Sequence, residues 1–342
     1  MLAVLTDEQE ALQDVAKRIA ETVALHNPAD LDGVDRAGGW KRLAEVGVLG
    51  LRTREDGFPL ATGTEVRLVA ESLAEALAPI PFVGASLAVE LLSLGAAPKD
   101  LVDDITSGAI RCGLGLRSDL SSLANLNDGQ LVGWDVDGAE LVVALGPDGD
   151  SVDVLTVLVD VSSVTPSPLD RTRSIAHLSW EGATKVGSVS REALMRWEAL
   201  ALTAVSADAV GAMRRTLDNA VAYSKDRIAY GVPIGSFQAL QHLMVDAYVN
   251  IQPAASLTSY AAWAVDALEP AEALLAARSA KAYSARVGLD IMESAMQVFG
   301  GVGVTSEHIA HFFTRRVLAD RYLFGPEDTH FALIADSRLV VN

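Results

Sequence analysis

Two short segments hold most of the side chains suited to gripping a charged, planar ligand. The first, YSKDRIAYGVPIGSFQALQH at residues 223–242, reads as the end of one helix, a bend at Gly231 and Pro233, and a new helix from Ser236. The second, QVFGGVG at residues 297–303, reads as a long helix stopping at consecutive glycines that let the backbone approach a ligand closely. Arg227 offers a planar fork for a phosphate, Gln238 and Gln297 offer amide hydrogen bonds, and Gly300 and Gly301 offer backbone N–H groups. Together these groups suit a pyrophosphate and an adenine. Taken singly, Arg227 is a solvated helix-end cation and QVFGG an ordinary glycine helix end, so the weight rests on finding both.

Other chemistries find little support. There is no GxGxxG after a strand, no GxxxxGK[ST], no HExxH and no GxSxG. His308 and His311 stand at i, i+3 and could share a helix face, but no third ligand stands in a recognisable frame, so a surface or interface role is expected and no metal. The single cysteine, Cys112, has no intrachain disulfide partner, which fits a reducing compartment and a packing role.

The formal net charge of -18 comes from 45 acidic against 27 basic residues without a basic run. Such a field repels nucleic acid and anionic membranes, so an anionic ligand must be held by local arginines or helix N-termini. The opening MLAVLTDEQEAL lacks the basic n-region and long apolar core of a signal peptide, and no apolar run is long enough for a bilayer. A cytoplasmic protein without membrane association is the expectation.

Helical periodicity with an N-cap threonine marks residues 6–23, and further helices are expected over 38–46, 64–77, 82–94 and 99–106. From Ala109 the texture changes to the short apolar or alternating runs AIRCGLGL, QLVGWDV, AELVVALG, DVLTVLVDV and IAHLSWEG, separated by Asn-Asp-Gly, Asp-Gly and Gly-Pro-Asp-Gly turns. Five or more such strands predict a small barrel or sandwich. Beyond Ser190 helices are expected over 191–223, 237–249, 256–267, 270–299 and 306–318, rich enough in alanine for close bundle packing. The expected fold is α+β in three parts: a helical domain at 1–108, a β domain at 109–187 and a helical bundle at 188–342.

Jointly the two glycine-bearing segments closely resemble the acyl-CoA dehydrogenase family, whose C-terminal domain carries R-x-x-F-G-x-P-I-x-x-F-Q and then Q-x-x-G-G. Here they stand as Arg227, Tyr230, Gly231, Pro233, Ile234, Phe237 and Gln238, then Gln297, Gly300 and Gly301, with Tyr230 in place of phenylalanine. The runs LTDEQEALQDVAKRIA and WKRLAEVGVLGL look like the family's opening helices. The resemblance implies a helical domain, a middle β-barrel and a helical bundle. It also implies FAD, whose ADP half would be held by Arg227, Tyr230, Gln238, Gln297, Val298, Phe299, Gly300 and Gly301 across a subunit interface, with the isoalloxazine on the neighbouring chain.

Departures from the family pattern are as informative. The family brings a T-E-P-x-x-G-S-D loop and a W-I-T-N-G-like strand to the flavin ring, and the stretch CGLGLRSDLSSLANLNDGQLVGW keeps neither, so the barrel region looks shortened. The family's base is a glutamate that removes the α proton of a CoA thioester while the β hydride passes to flavin. Its two alternative positions fall here at Gly325 and Ala201, neither a carboxylate; Glu198 and Glu327 are the nearest candidates. The chain therefore resembles the smaller subunit of heterotetrameric α2β2 steroid-type enzymes of actinobacteria. It would supply ADP-side contacts to a homologous catalytic subunit that oxidises an acyl-CoA and passes electrons to electron-transfer flavoprotein. A self-sufficient homo-oligomer using Glu198 or Glu327, and a structural scaffold without FAD, are the alternatives.

Overall fold

The computed structural model describes residues 4–147 and 149–339; Met1 to Ala3 of the opening stretch and Asp148 of the Gly-Pro-Asp-Gly turn lie outside them. The chain begins with five helices, α1 (Asp7–Glu21), α2 (Arg36–Glu45), α3 (Gly63–Glu75), α4 (Phe82–Leu94) and α5 (Lys99–Thr106), with the hairpin β1 (Arg54–Glu55) and β2 (Phe58–Pro59) between α2 and α3. Local chemistry sets the starts. Thr6 with Gln9 and Thr62 with Glu65 form reciprocal capping boxes on α1 and α3, satisfying backbone donors that a helix leaves open. Both α3 and α4 are buried over nearly their whole length, which makes them the central struts of the N-terminal part.

The middle part is a seven-stranded mixed sheet of β3 (Cys112–Leu116), β4 (Leu131–Trp134), β5 (Leu141–Leu145), β6 (Val152–Leu158), β7 (Thr165–Pro166), β8 (Ser174–Leu178) and β9 (Thr184–Val189). Its order is β7-β8-β4-β3-β5-β6-β9, antiparallel except for the parallel β3–β5 pair. The five strands read from the sequence are there, joined by β7 and β9 at the two edges. Among the described residues the edge strands β7 and β9 do not pair with each other, and the sheet takes the place of the expected small barrel or sandwich. One face packs on α4, and the other closes over a separate cluster that includes Val142, Ala144, Val157 and Ala176 with Trp180.

The last part is the bundle α6 (Arg191–Asp226), α7 (Gln238–Ala267), α8 (Pro270–Phe299), α9 (Ala310–Tyr322) and α10 (Glu327–Leu339), with the hairpin β10 (Ile228–Ala229) and β11 (Val232–Pro233) joining α6 to α7. Two differences from the sequence expectation stand out. Helix α7 runs unbroken through Pro253, where two helices were expected. Ala247, Ile251, Ala254 and Thr258 bury one face of it while Pro253 and Val249, whose carbonyl loses its helical donor, lie on the exposed side; packing on α6 and α8 offsets a penalty of about 3 kcal/mol. The second difference is α10, not anticipated, which follows a turn with positive φ at Phe324 and Gly325.

The three parts do not keep separate cores. One buried cluster runs from Ala16 and Trp40 through α3, α4 and the sheet residues Leu114 and Val154 to Leu200 of α6, Ala277 of α8 and Phe324. Buried ion pairs join the same parts. Arg52 donates to both Glu90 and Asp266, and Arg173 and Arg316 share Asp208, with Asp135 and Asp170 as their outer partners. Burial opposes the charge on Asp208, but Arg316 and Arg173 outweigh it and hold its carboxyl below the usual range. Its neighbour Asp320 is driven the other way, its carboxyl raised well above the usual range by burial and then by Asp208.

Candidate functional site

The functional residues read from the sequence gather at the two ends of α6. At the C-terminal end, Arg227 caps the helix in extended conformation and its carbonyl accepts the Ile234 N–H at 2.8 Å, which closes the β10–β11 hairpin against the helix end. Both residues at the tip, Tyr230 and Gly231, have positive φ, as a two-residue type I′ hairpin requires. Glycine takes that conformation freely, whereas a tyrosine there is strained, and its ring is 97% exposed.

Packing brings the QVFGG turn to the same place. The Phe299 ring at the end of α8 lies 5.5 Å from that of Tyr223, one turn before Arg227, and Leu240 and Met244 of α7 complete the cluster. Val298 and Phe299 are therefore core residues, 3% and 4% exposed, whose side chains face inward. Their side chains anchor the turn, and the outward-facing groups are those around them.

Those groups have no partners within the chain. Among the described residues the side chains of Arg227, Gln238 and Gln297 make no hydrogen bond or ion pair, and all three are exposed. Gly300 has φ 62° and ψ −145°, a conformation open essentially to glycine alone. A Cβ added at Gly231, Gly300 or Gly301 would meet no atom within 4 Å. A strained tip, a bare guanidinium, two free amides and two uncovered glycines make a shelf that a diphosphate with an attached base would fit.

The other end of α6 borders a cleft of about 540 Å³ between the sheet and the bundle, lined among others by Arg117, Asn125, Leu194, Trp197, Glu198 and Phe324. Its floor is filled. The Phe324 ring meets the Trp197 ring edge-on at 5.9 Å, the Trp197 indole donates to the Leu87 carbonyl at 2.8 Å, and the Phe324 N–H donates to the Leu120 carbonyl at 2.9 Å. Leu120 lies in the loop between β3 and β4, so that loop is tied directly to the turn after α9.

Neither base position faces the cleft as a usable carboxylate. Ala201 is fully buried. Gly325 has φ 98°, and a Cβ built on it would point at His330 and Thr329 of α10. Glu327 is corrected as a candidate: it is 5% exposed and gripped by Nε and Nη2 of Arg321, whose hydrogen bond holds its carboxyl below the usual range. Glu198 does line the cleft, where Arg278 donates to it at 3.1 Å. Behind this turn Lys281, which burial pushes down to about 7, donates to the carbonyls of Arg321 and Gly325 and ties off the C-terminus of α9.

The remaining sequence candidates resolve simply. His308 accepts the Ala310 N–H at Nδ1, His311 lies near the Ser306 carbonyl, and no group of metal-ligating residues occurs among the described residues. No described helix is long and apolar enough to cross a membrane. Sequence reading missed Trp197, Phe324 and the Arg173–Asp208–Arg316 cluster. The one available signal was Thr203, Ser206 and Asp208 set among the alanines of α6.

The architecture is thus a helical part, a seven-stranded sheet and a helical bundle, with a shelf of unpartnered polar groups at the bundle's end. Residues 195–339 match the family model for the acyl-CoA dehydrogenase C-terminal domain. Acyl-CoA dehydrogenase IpdE2 of Mycolicibacterium smegmatis is 30% identical over 84% of this chain and 83% of its own length. Among solved structures, the Tcur3481-Tcur3483 steroid ACAD G363A variant superposes with a TM-score of 0.81 at 22% identity, covering 96% of this chain and 97% of that one. The ChsE4-ChsE5 complex from Mycobacterium tuberculosis superposes with a TM-score of 0.78 at 19% identity over the full length of both chains. The chain belongs to the acyl-CoA dehydrogenase family of FAD-dependent oxidoreductases.

Proposed function

We propose that this chain is the smaller subunit of a heteromeric acyl-CoA dehydrogenase and that it clamps the ADP half of an FAD whose ring and catalytic glutamate belong to a homologous partner. The observation that carries this reading is a distance. Glu198 at the cleft and Arg227 on the shelf belong to one continuous helix, and the span between them is about 43 Å at about 1.5 Å per residue. That exceeds an extended flavin dinucleotide, so one FAD cannot use this chain's shelf and its cleft together. A flavin held on the shelf would have its ring in another polypeptide, a second copy of this chain or a homologous partner; the missing carboxylates at Gly325 and Ala201 favour the partner.

The cleft supports the same division. With Phe324 and Trp197 on its floor and no free carboxylate at Gly325 or Ala201, this chain's own copy of the site has lost the group that would take an α proton. Within the assembly FAD supplies the hydride-accepting chemistry. This chain's part is to bind and orient: Arg227 faces the diphosphate, Gln238 and Gln297 supply amides, and the Gly300–Gly301 backbone permits close approach.

The proposed reaction is α,β-dehydrogenation of a CoA thioester, with a steroid-type acyl group suggested by the Tcur3481-Tcur3483 steroid ACAD and a two-chain assembly by the ChsE4-ChsE5 complex. Electron-transfer flavoprotein is the proposed acceptor. One observation favours a second reading, a self-sufficient dehydrogenase: Glu198 does face the cleft. Expressing the chain alone and with a full-length dehydrogenase from the same locus separates the two. A colourless chain alone, with a yellow and active mixture, is the expected result; a yellow, active chain alone supports Glu198.

A further inference from the structure

The buried charges where the sheet meets α6, α8 and α9 leave one acid without a donor. Asp208 of α6 accepts from Arg173 Nη2 at 2.7 Å and from Arg316 Nε at 2.6 Å, while Arg173 Nη1 also reaches Asp135 and Arg316 Nη1 reaches Asp170. Asp320, one turn beyond Arg316 on α9 and 5% exposed, lies in hydrogen-bonding contact with the Asp208 carboxyl. Its Oδ2 is buried and has no donor. The cations nearby do not reach that oxygen: Lys281 of α8 gives its ammonium to the carbonyls of Arg321 and Gly325, and Arg173 Nε and Arg316 Nη2 are buried without a partner.

The charge count agrees. Three cations, Arg173, Arg316 and Lys281, face four acids, Asp135, Asp170, Asp208 and Asp320. Arg321 and Glu327, the next pair along, cancel each other. With all four acids ionised one buried negative charge is left over, and a single proton removes it. Burial pushes Lys281 down to about 7, so above that pH the excess of acid grows. A protonated carboxyl also supplies the missing donor, because its O–H can point at the neighbouring carboxylate, and two acids in contact titrate as a pair. Burial and then Asp208 raise the Asp320 carboxyl well above the usual range, whereas on Asp208 burial is outweighed by Arg316 and Arg173; Asp320 is therefore the donor side.

We propose that Asp320 and Asp208 share one proton, and that this proton is a pH-sensitive pin fastening α9 to α6. Each Asp208 oxygen takes one arginine N–H and keeps a second lone pair for the Asp320 hydroxyl. Raising the pH sends the proton to solvent and leaves an uncompensated buried charge four residues before Phe324, at the turn that closes the cleft floor. The inference stands apart from the proposed flavin role, since none of these side chains lines the cleft or belongs to the shelf.

Infrared spectroscopy of the full chain near neutral pH tests the proposal. The wild type is expected to show the C=O stretch of a protonated carboxylic acid, shifted when the aspartates carry carbon-13 and absent in Asp320→Asn, whose amide keeps a donor and does not titrate. Should that variant not fold, Asp320→Glu is expected to move the band from the aspartate label to a glutamate label. Denaturant unfolding gives the second reading. A carboxyl raised in the folded state contributes stability that is complete below the ordinary carboxylate range and is lost as the pH rises through its own range. From about pH 5 to 7 the unfolding constant of the wild type, divided by that of Asp320→Asn, should therefore climb about tenfold per pH unit until the proton leaves. No carboxylic-acid band in the wild type, a band that survives Asp320→Asn or keeps its aspartate label in Asp320→Glu, or parallel pH profiles would overturn the proposal.

Discussion

At its N-terminal end α6 meets a cleft whose floor is packed with Trp197 and Phe324, and it reaches the Arg173–Asp208–Arg316 cluster two to three turns further on. At its C-terminal end the same helix finishes in an arginine, a strained tyrosine and a glycine turn that touch little of their own chain. One end pairs its charges internally, although Arg173 Nε and Arg316 Nη2 are buried without a partner; the other leaves its polar side chains outward and unpaired. Under the proposed division of labour, the contrast means that the two halves of a flavin site can be lost and kept separately, provided that another chain supplies what is missing.

The largest expected effect breaks the closed end. Arg316→Ala leaves Asp170 buried without its cation and Asp208 with Arg173 alone, and should cost about 3–5 kcal/mol of stability in denaturant unfolding. A comparable loss in Arg227→Ala would erase the contrast, since that side chain makes no contact of the kind that stabilises the monomer. Next in size, Arg227→Ala combined with Gln297→Ala should lower FAD affinity of the mixed complex about 10- to 100-fold, at about 1.5–3 kcal/mol for a lost bond to a charged group. The unfolding midpoint should move by less than about 0.5 kcal/mol.

Smaller effects sharpen the picture. Gly301→Val adds atoms where the chain has open space, so stability should hold within about 0.5 kcal/mol while flavin content of the complex falls; intact flavin content would place the dinucleotide elsewhere. Smallest of all, Glu198→Gln should leave turnover of the mixed complex within about twofold. A general base at that position would instead lose roughly 100-fold or more.

Much of this was legible in the sequence where local chemistry decides. The capping boxes at Thr6 and Thr62, the helix-stopping glycines after Phe299 and the alternating strands gave the elements and the shelf. What escaped was decided by contacts distant in sequence. Pro253 reads as a break, yet α7 continues because its buried face is held by two other helices. Val298 and Phe299 lie inside a motif and were grouped with its ligand-facing members, although the helix turns both toward Tyr223 and the core. Glu327 read as a stand-in base until Arg321, one and a half turns back in sequence, proved to hold it.

The most direct test of the central claim is the number of flavins in the purified mixed complex, measured as FAD absorbance against total chain concentration. With this chain contributing only a shelf and its partner only a ring site and base, one FAD per pair of unlike chains is expected. One FAD per chain would mean that the cleft beside Trp197 and Phe324 also holds a flavin ring, and would contradict the account.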